Sequence, residues 1–366
     1  MTGAGAARAS SVHVTALPRH ADILDVRTPE EFADDHVPGA VNCPVLTTEE
    51  RAAVGTLHAQ ASAFEARKRG AALISRNIAG IVERFADRPR DWAPLVYCWR
   101  GGQRSRSLTH VLNEIGWKAV QLEGGYRAYR RHVVERLAVL PASFDYRVVC
   151  GLTGSGKSRL LAALHARGAQ VLDLEALARH RGSLLGDLPD APQPSQKAFE
   201  SEVLHRLSGF VPGRPVFVES ESKKIGRVQV PDVLLERMRV ARCVRVDLPR
   251  ALRVALLKAE YAHFLADPAL LADRLAPLAQ LHGREAIARW NALASAGDFD
   301  RLVDALLVEH YDPTYTRAIE RNFPNFAQGR VVAARAIDAT AWDDAARRVL
   351  DEEQACLPWP TTPFAW

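Results

Sequence analysis

Two stretches of this 366-residue chain have residue types and spacing suited to binding anions. The first, Gly151-Leu-Thr-Gly-Ser-Gly-Lys-Ser158, fits the pattern G-x-x-x-x-G-K-[ST] between an apolar run and an amphipathic stretch. Glycines let backbone N–H groups converge on a phosphate, while Lys157 and the following helix dipole add positive charge. We predict a di- or triphosphate site, without implying ATP hydrolysis. Its residues are Gly151, Thr153, Gly154, Ser155, Gly156, Lys157 and Ser158.

Acidic partners of this phosphate site are expected at the end of a neighbouring strand. Glu219 and Glu221 follow such an apolar run, and Ser158 is placed to reach Mg²⁺ if that ion is used. Alternatively, the two carboxylates only cap a strand or pair with nearby lysines. No Asn-Lys dipeptide occurs in the sequence, so the guanine-reading element of GTPases is missing.

The second stretch, Tyr97-Cys-Trp-Arg-Gly-Gly-Gln-Arg-Ser105, places a cysteine between an apolar run and a helical pattern. A helix N-terminus and nearby cations stabilise a thiolate, and Arg104 can bind an anion through two N–H groups. We therefore predict Cys98 as a nucleophile and Arg104 as an anion ligand, with Ser105 beginning or capping the helix. The anion loop also includes Trp99, Arg100, Gly101, Gly102, Gln103 and Ser105.

The spacing C-x5-R leaves the reaction of Cys98 open. It suits a phosphatase, in which cysteine attacks phosphorus, and a carrier, in which cysteine bears sulfur or selenium. A buried structural cysteine is the alternative to both. The chain's other cysteines are scattered without a C-x-x-C pair, so we expect neither a disulfide framework nor a zinc site.

Apolar runs alternate with helical stretches, which predicts an α/β fold with parallel sheets. Thr28 is expected to cap a helix with Glu31, and residues 47–87 are expected to be helical with breaks near Gly70 and Gly80. The predicted divisions are a first α/β domain at 1–140, a linker at 141–145, a phosphate-loop α/β domain at 146–248, a mainly helical region at 249–350 associated with it, and a frayed tail at 351–366.

Charge is unevenly distributed along the chain. Residues 98–136, the basic segment, contain eight Lys or Arg against three Glu, a net charge of +5 that equals that of the whole chain. Such a segment suits binding to phosphate-bearing partners, which include RNA. The alternative is that it forms only a solvated charged face. The sequence contains neither a signal peptide nor a long apolar stretch, so we expect a soluble, cytoplasmic protein with no membrane partner.

The two anion-binding stretches each lie in a segment that resembles a known protein family. The segment DILDVRTPEEFADDHVPGAVNCPV followed by YCWRGGQRS resembles a rhodanese domain, with a cysteine loop one residue longer than in common sulfurtransferases. Its fusion to a P-loop domain is similar to the family of tRNA 2-selenouridine synthases. Further similar stretches are GLTGSGKS, QPSQKAFES, VESESKKIG, LHGREAI and HYDPTYTRAIERNF, and Ser220 stands where we expect the family's Asp, which weakens a metal-binding role there.

The resemblance implies a transferase reaction. The 2-thiouridine at the wobble position of a tRNA would become 2-selenouridine, with selenophosphate as donor, through an S-geranyl intermediate made from geranyl diphosphate. Cys98 would carry selenium as S-selanylcysteine, and the P-loop would bind the diphosphate. No tightly bound cofactor is implied.

The helical region after Pro249 would then cover the geranyl chain or hold RNA. Candidate contacts are Tyr261, His263, Phe264, His310, Tyr311 and Arg321. Two rival functions remain at this point. One is a Cys-dependent phosphatase fused to a P-loop kinase, acting on small molecules without RNA. The other is a non-catalytic RNA-binding or regulatory ATPase, in which Cys98 is incidental.

Overall fold

Two parallel β-sheets, one in each of two units of the chain, organise the fold. The computed structural model describes residues 11–356, with side chains up to residue 353. The first unit comprises the described residues up to Leu137 together with Pro194–His205, and the second comprises Ala138–Gln193 and the chain from Arg206 onward. The contiguous division predicted above therefore misses one segment of the first unit.

Ion pairs explain why Pro194–His205 belongs to the first unit. Lys197 Nζ lies 2.7 Å from Asp34 Oδ2, and Arg130 pairs with Glu200. These partners are far apart in sequence, so no local pattern reveals them.

The first sheet contains short strands that are mostly buried. They are β1 (Ser11–Val12), β2 (Ile23–Asp25), β3 (Val41–Asn42), β4 (Leu95–Tyr97) and β5 (Val120–Leu122). All pair in parallel in the order β1-β5-β4-β2-β3. β4, which precedes Cys98, is therefore central, and its three residues are fully buried, as is typical of a covered parallel sheet.

Five helices follow these strands in the first unit. They are α1 (Pro29–Asp34), α2 (Thr48–Gln60), α3 (Ala63–Arg84), α4 (Gln103–Ile115) and α5 (Gly125–Leu137). The predicted start of α1 is confirmed, since the Thr28 hydroxyl accepts from Glu31 N and the Glu31 carboxylate accepts from Thr28 N.

The predicted breaks near Gly70 and Gly80 are wrong. The interruption between α2 and α3 falls at Ala61 and Ser62, where Ser62 caps α3. Gly70 is buried inside α3, and a Cβ there would meet the Val54 side chain of α2 at 3.5 Å. That distance is an ordinary van der Waals contact, so Gly70 lies where α3 packs against α2 and does not break the helix.

The second sheet carries the phosphate loop. Its strands are β6 (Tyr146–Cys150), β7 (Gln170–Leu172), β8 (Val216–Glu219), β11 (Arg242–Asp247) and β12 (Arg330–Ala333), while β9 (Lys224–Ile225) and β10 (Val228–Gln229) form a separate antiparallel pair. The sheet is parallel in the order β12-β11-β6-β8-β7. β6 is central, so its loop opens at the carboxyl edge of the sheet, where ligands bind in such folds.

Helices cover this sheet and extend beyond it. They are α6 (Lys157–Ala166), α7 (Leu174–Ala178), α8 (Gln196–Ser208, whose first part lies in the first unit), α9 (Asp232–Arg239), α10 (Arg250–Glu260), α11 (Ala262–Ala266), α12 (Pro268–Leu275), α13 (Ala279–Ser295), α14 (Phe299–Leu306), α15 (Asp312–Asn322) and α16 (Ala339–Cys356). One core joins the sheet to α6 and α16, and a second surrounds Trp290 of α13.

Three details differ from the sequence predictions. The region 249–350 contains β12, an edge strand of the second sheet. α16 continues to Cys356, past the start of the predicted tail, and the rest of that tail lies outside the described residues. Leu140–Ser143, which overlaps the predicted linker, forms a 3₁₀ turn. The Tyr146 hydroxyl donates a hydrogen bond to the Pro141 carbonyl of this turn.

Two further features belong to the described part of the chain. None of its helices has the length and hydropathy to span a bilayer. Cys43, Cys98, Cys150 and Cys243 are all buried free thiols, whereas the side chain of Cys356 lies outside the described set.

Candidate active sites

Cys98 lies at the carboxyl end of the central strand β4, directly before α4. The side chain is almost enclosed, with 3% of the residue exposed. Two donors point at its sulfur: Gly102 N lies 3.2 Å and Ser105 Oγ 3.1 Å from Sγ. The sulfur thus lies at the start of a helix with two donors directed at it, which is a position suited to a nucleophile.

Ser105 does not cap α4 as predicted. Gly102 occupies the cap position, and Ser105 lies in the first turn with its hydroxyl directed to Cys98. Gln121 of β5 donates to Ser105 Oγ at 2.6 Å and thereby orients the hydroxyl. Sequence reasoning missed Gln121, because its role depends on strand pairing.

The Gly124-Gly125 turn supports the cysteine loop from below. Tyr126 N donates to the Cys98 carbonyl at 2.8 Å, and Arg127 N donates to the Trp99 carbonyl at 3.1 Å. Gly125 has φ +58°, and a Cβ there would overlap the Cys98 carbonyl. Only glycine allows this close approach of two backbone segments.

Arg104, the predicted anion ligand, is engaged by a carboxylate. Its Nη1 lies 2.8 Å from Glu31 Oε2 of α1. Burial raises the pKa of Glu31, but the hydrogen bond and charge of Arg104 outweigh it and hold that pKa below its usual value. Glu31 was predicted only as a capping residue, so its contact with Arg104 is a second role that sequence reasoning missed.

The remaining predicted residues of the cysteine loop differ in how far they are exposed to solvent. Arg100 and Gln103 are exposed, Gly101 and Gly102 are partly buried, and Gly101 adopts φ +67°. The Trp99 ring stacks on Tyr126 with ring centroids 5.2 Å apart. Trp99 therefore has a partner within the protein.

A buried charge network lies beneath the loop. Arg27 Nη2 contacts Asp25 Oδ2 at 2.6 Å, and the guanidinium lies 4.0 Å from the centre of the Tyr126 ring. Burial alone would lower the pKa of Arg27, but the hydrogen bond and charge of Asp25 outweigh burial and hold that pKa above its usual value. Tyr126 in turn donates to Asp35 Oδ2 at 2.8 Å. This network ties α1 and α5 to the sheet beneath Cys98.

The phosphate loop joins β6 to α6. Gly154 and Gly156 adopt φ +72° and +86°, and their missing Cβ atoms make room for Leu257 and the Trp342 ring. Ser155 N donates to the Leu152 carbonyl at 3.0 Å and closes the turn. The seven predicted residues all lie within positions 151–158, and the structure places them in one tight turn and the start of α6.

Lys157 is buried among groups that stabilise its charge. Its Nζ lies 3.3 Å from the Gly151 carbonyl and 5.0 Å from the centre of the Tyr315 ring. Burial alone would lower the pKa of Lys157, but Tyr315 and the carboxylates of Glu175 and Glu221 raise it above the usual value. The side chain is thus a cation in the folded protein.

The predicted acidic residues lie beside a third carboxylate, Glu175. Ser158 Oγ donates to Glu175 Oε2 at 3.0 Å, and Glu175 N donates to Glu219 Oε1 at 2.6 Å. Burial and neighbouring carboxylates raise the pKa of Glu219 and Glu221 well above usual values. Glu175 was missed, because one glutamate in a helical stretch carries no distinguishing pattern.

Oxygen donors here are of the type that Mg²⁺ prefers. The Ser158 hydroxyl and the Glu175 carboxylate are adjacent, and Glu219 Oε2 is buried without a hydrogen-bond partner. Within residues 11–353, however, no set of three or more His, Cys, Asp or Glu side chains is arranged to hold a metal ion. Any Mg²⁺ here would therefore depend on ligand oxygens as well.

Two cavities adjoin the phosphate loop. The larger, about 470 Å³, is lined by Lys157, Ser158, Glu175, Glu221 and Tyr315 among others. The smaller, about 50 Å³, is almost wholly apolar and is surrounded by leucines of α10, α12 and α14 and by Phe264. The residues that line both cavities are Thr153, Ser183, Leu257, Tyr261 and Tyr311.

A buried arginine fixes α15 against the phosphate loop. Arg253 Nε donates to the Thr153 carbonyl at 2.9 Å, and its two terminal nitrogens contact the Asp312 carboxylate at 3.0 and 2.5 Å. α15 in turn carries Tyr315 to Lys157. Neither Arg253 nor Tyr315 was among the predicted site residues.

Of the other candidates from the helical region, Tyr261, His310 and Tyr311 line the larger cavity. Phe264 lines the apolar one. His263 and Arg321 line neither of these two cavities.

Comparisons with known proteins match both units. A family model for a rhodanese-like domain matches residues 14–132, and a model for the tRNA 2-selenouridine synthase AAA domain matches residues 144–273. The fold is thus a rhodanese-like parallel-sheet domain, followed by a P-loop-type α/β domain with a helical C-terminal region.

Curated relatives share this organisation over most of the chain. A tRNA 2-selenouridine synthase of Aeromonas salmonicida is 32% identical over 326 residues, covering 80% of this chain and 86% of that protein. One of a Sulfurovum species is 32% identical over 336 residues, covering 82% and 89%. One of Nitrosomonas europaea is 36% identical over 247 residues, which cover 65% of this chain and 63% of that protein. The chain therefore belongs to the family of tRNA 2-selenouridine synthases.

Proposed function

We propose that this chain is a transferase that converts 2-thiouridine at the wobble position of a tRNA into 2-selenouridine. Selenophosphate supplies the selenium, and the reaction passes through S-geranyl-2-thiouridine made from geranyl diphosphate. The printed names of the relatives support the tRNA substrate and the selenated product. A tRNA-modifying enzyme acts where tRNA is found, in the cytoplasm.

One observation carries the geranyl step of this proposal: the polar cavity at Lys157 and the apolar cavity share lining residues. A ligand with a diphosphate head and a hydrocarbon tail matches this pair of environments, whereas a nucleotide has no such tail. The apolar cavity is small, so a ten-carbon chain would enter it by displacing flexible leucine side chains.

The phosphate loop would stabilise the leaving group of geranyl transfer. As the thiocarbonyl sulfur bonds to the first geranyl carbon, the bond from that carbon to the diphosphate breaks, and charge accumulates on the diphosphate. Lys157 and N–H groups of the loop would receive that charge. Mg²⁺, held near Ser158 and Glu175, would neutralise part of it.

Cys98 would handle selenium in the first unit. We assign it the S-selanylcysteine: the Cys98 thiolate bonds to selenium as the selenium–phosphorus bond breaks, and that bond's electron pair stays on phosphorus. The loop N–H groups and Arg104 would bind the phosphorus oxyanion, for which Arg104 would exchange its Glu31 partner. S-geranylation makes the uridine sulfur a better leaving group, so selenium would attack C2 as geranylthiolate departs, and a thiol reductant would then cleave the sulfur–selenium bond.

Nucleoside analysis tests the proposal. The protein is incubated with a tRNA that carries 2-thiouridine, geranyl diphosphate and selenophosphate, and the digested nucleosides are identified by mass spectrometry. We expect S-geranyl-2-thiouridine when selenophosphate is left out and 2-selenouridine when it is present. The absence of both products, or release of phosphate from small phosphomonoesters without tRNA, would favour the rival phosphatase and kinase.

A further inference from the structure

Two histidines meet at the wall of the larger cavity. His282 Nε2 lies 3.0 Å from His310 Nδ1, and the two rings are perpendicular with centroids 5.1 Å apart. His310 is 9% exposed and lines the same cavity as Lys157. The fully buried Trp290 packs against the His282 ring at 5.3 Å. The pair is therefore held in one arrangement.

Irregular backbone brings the two rings together. His310 lies in a π-helical turn, Leu307–Tyr311, between α14 and α15. His282 precedes Gly283, whose φ of +81° and ψ of 164° interrupt α13. π turns are rare and are frequently found at functional sites. A histidine pair that served only to fill the core would need neither irregularity.

One ring nitrogen of His310 has no hydrogen-bond partner among residues 11–353. Nδ1 is used by His282, and Nε2 has no partner among residues 11–353. Burial and the neighbouring His282 lower the pKa of His310, which keeps the imidazole neutral at neutral pH. In the tautomer that carries its proton on Nδ1, donated to His282 Nε2, the other ring nitrogen of this cavity-lining residue, Nε2, has a free lone pair.

Geranyl transfer requires a proton acceptor. 2-Thiouridine carries a proton on N3, whereas S-geranyl-2-thiouridine does not, since its ring has an N3–C2 double bond. When the S–C bond forms and the C–O bond to diphosphate breaks, the N3–H electron pair moves into the ring and the proton departs. A base at the cavity wall would accept this proton as charge builds up on the sulfur.

We propose that His310 is the general base of geranyl transfer, taking the N3 proton of 2-thiouridine on Nε2, and that His282 is its positioning residue. This inference rests on the proposed function. His310 becomes an imidazolium whose Nδ1–H remains hydrogen-bonded to His282, and the partly exposed His282 offers a route for the proton to solvent.

The test measures single-turnover geranyl transfer to thiolated tRNA by His310→Ala and His310→Gln. The rate should fall about 100-fold or more in both variants, while geranyl diphosphate affinity stays within about twofold. Added imidazole should restore much of the rate of His310→Ala, whose cavity it can enter, and not that of His310→Gln. His165→Ala, an exposed histidine of α6, is the matched control and should keep the wild-type rate.

Different outcomes would overturn the assignment of the base and the proposed function. If wild-type protein transfers geranyl groups and His310→Gln does so at the same rate, the assignment of the base is wrong and the proposed function stands. Loss of rate without imidazole rescue of a folded His310→Ala, together with weakened geranyl diphosphate binding, would make His310 purely structural. Failure of the wild-type protein to transfer geranyl groups would overturn the proposed function and this inference with it.

Discussion

Glu219 illustrates what single residues contribute around the phosphate loop. Its pKa is raised by burial and by the nearby Asp173, Glu175 and Glu221. The folded state therefore binds a proton that the unfolded chain releases at lower pH, and stability falls as pH rises between the two pKa values. The raised pKa favours a protonated Glu219, which adds no negative charge beside Glu175.

Glu219→Gln should raise stability at alkaline pH. The amide keeps an acceptor for Glu175 N and removes the cost of ionisation. We expect the melting temperature at pH 8 to rise by about 2–4 °C, with a smaller gain near pH 5. Glu320→Gln, at an exposed position, is the control and should leave the pH dependence unchanged. A lower melting temperature for Glu219→Gln at pH 8 would show that the carboxylate is ionised and stabilising.

Residue identities in the two loops were predictable, because glycine, lysine, cysteine and arginine at fixed spacing have few other uses. Their partners were not. Glu31, Gln121, Glu175 and Tyr315 reach the loops from other elements, and the sequence does not indicate which of its many similar residues those elements bring close.

At the scale of elements, α16 is packed under the phosphate loop. The Trp342 ring occupies the space that a Cβ on Gly156 would need. Gly156 must therefore be glycine for two reasons, its φ of +86° and this contact. The position of Trp342 on α16 therefore limits which residue the phosphate loop can have at position 156.

Gly156→Ala should lower the free energy of unfolding more than an alanine substitution at a glycine that has a similar positive φ but no neighbouring side chain. We expect a loss of about 2–4 kcal/mol in the free energy of unfolding, because overpacking adds to strain. Gly168→Ala is the matched control, since Gly168 has φ +81° with no atom near its Cβ position, and should lose about 1 kcal/mol. Equal losses in denaturant unfolding would show that Trp342 yields freely.

Elements with local signals were predicted well, and those defined by distant contacts were not. The Thr28 cap and the strand before each loop follow from neighbouring residues. β12 has a single buried residue, Val332, and its apolar run covers only residues 331–334, which is too short to distinguish a strand from a turn of helix. Gly70 and Gly80 imitate helix breaks, although both lie inside α3.

At the scale of the whole molecule, charge is concentrated in the basic segment, residues 98–136. Arg127, Arg131 and Arg136 of α5 are exposed, whereas Arg130 is paired with Glu200. Exposed arginines near Cys98 would neutralise tRNA phosphates and release counterions, so binding should weaken as salt is added.

The double variant Arg127→Ala/Arg131→Ala should reduce this salt dependence. We expect the slope of log affinity against log salt concentration to fall in magnitude by about 1–2, measured by tRNA binding at several salt concentrations. Arg69→Ala/Arg76→Ala removes two exposed arginines of α3 and serves as the control. Equal effects of the two pairs would assign the binding to overall charge, contrary to our expectation.

The two-unit organisation follows from repeated strand and helix patterns, each interrupted by one anion-binding motif. The assignment of Pro194–His205 to the first unit could not be read in the same way, since it depends on ion pairs to Asp34 and Arg130. The central claim is that the two motifs act in sequence on one nucleoside.

The most direct test of that claim is the nucleoside profile of Cys98→Ala and Lys157→Ala with thiolated tRNA, geranyl diphosphate and selenophosphate all present. Cys98→Ala should accumulate S-geranyl-2-thiouridine without 2-selenouridine, because only the selenium step needs the thiol. Lys157→Ala should leave 2-thiouridine unmodified, with geranyl transfer reduced about 100-fold or more. Formation of 2-selenouridine by Cys98→Ala, or geranyl transfer by Lys157→Ala, at the wild-type rate would contradict the account.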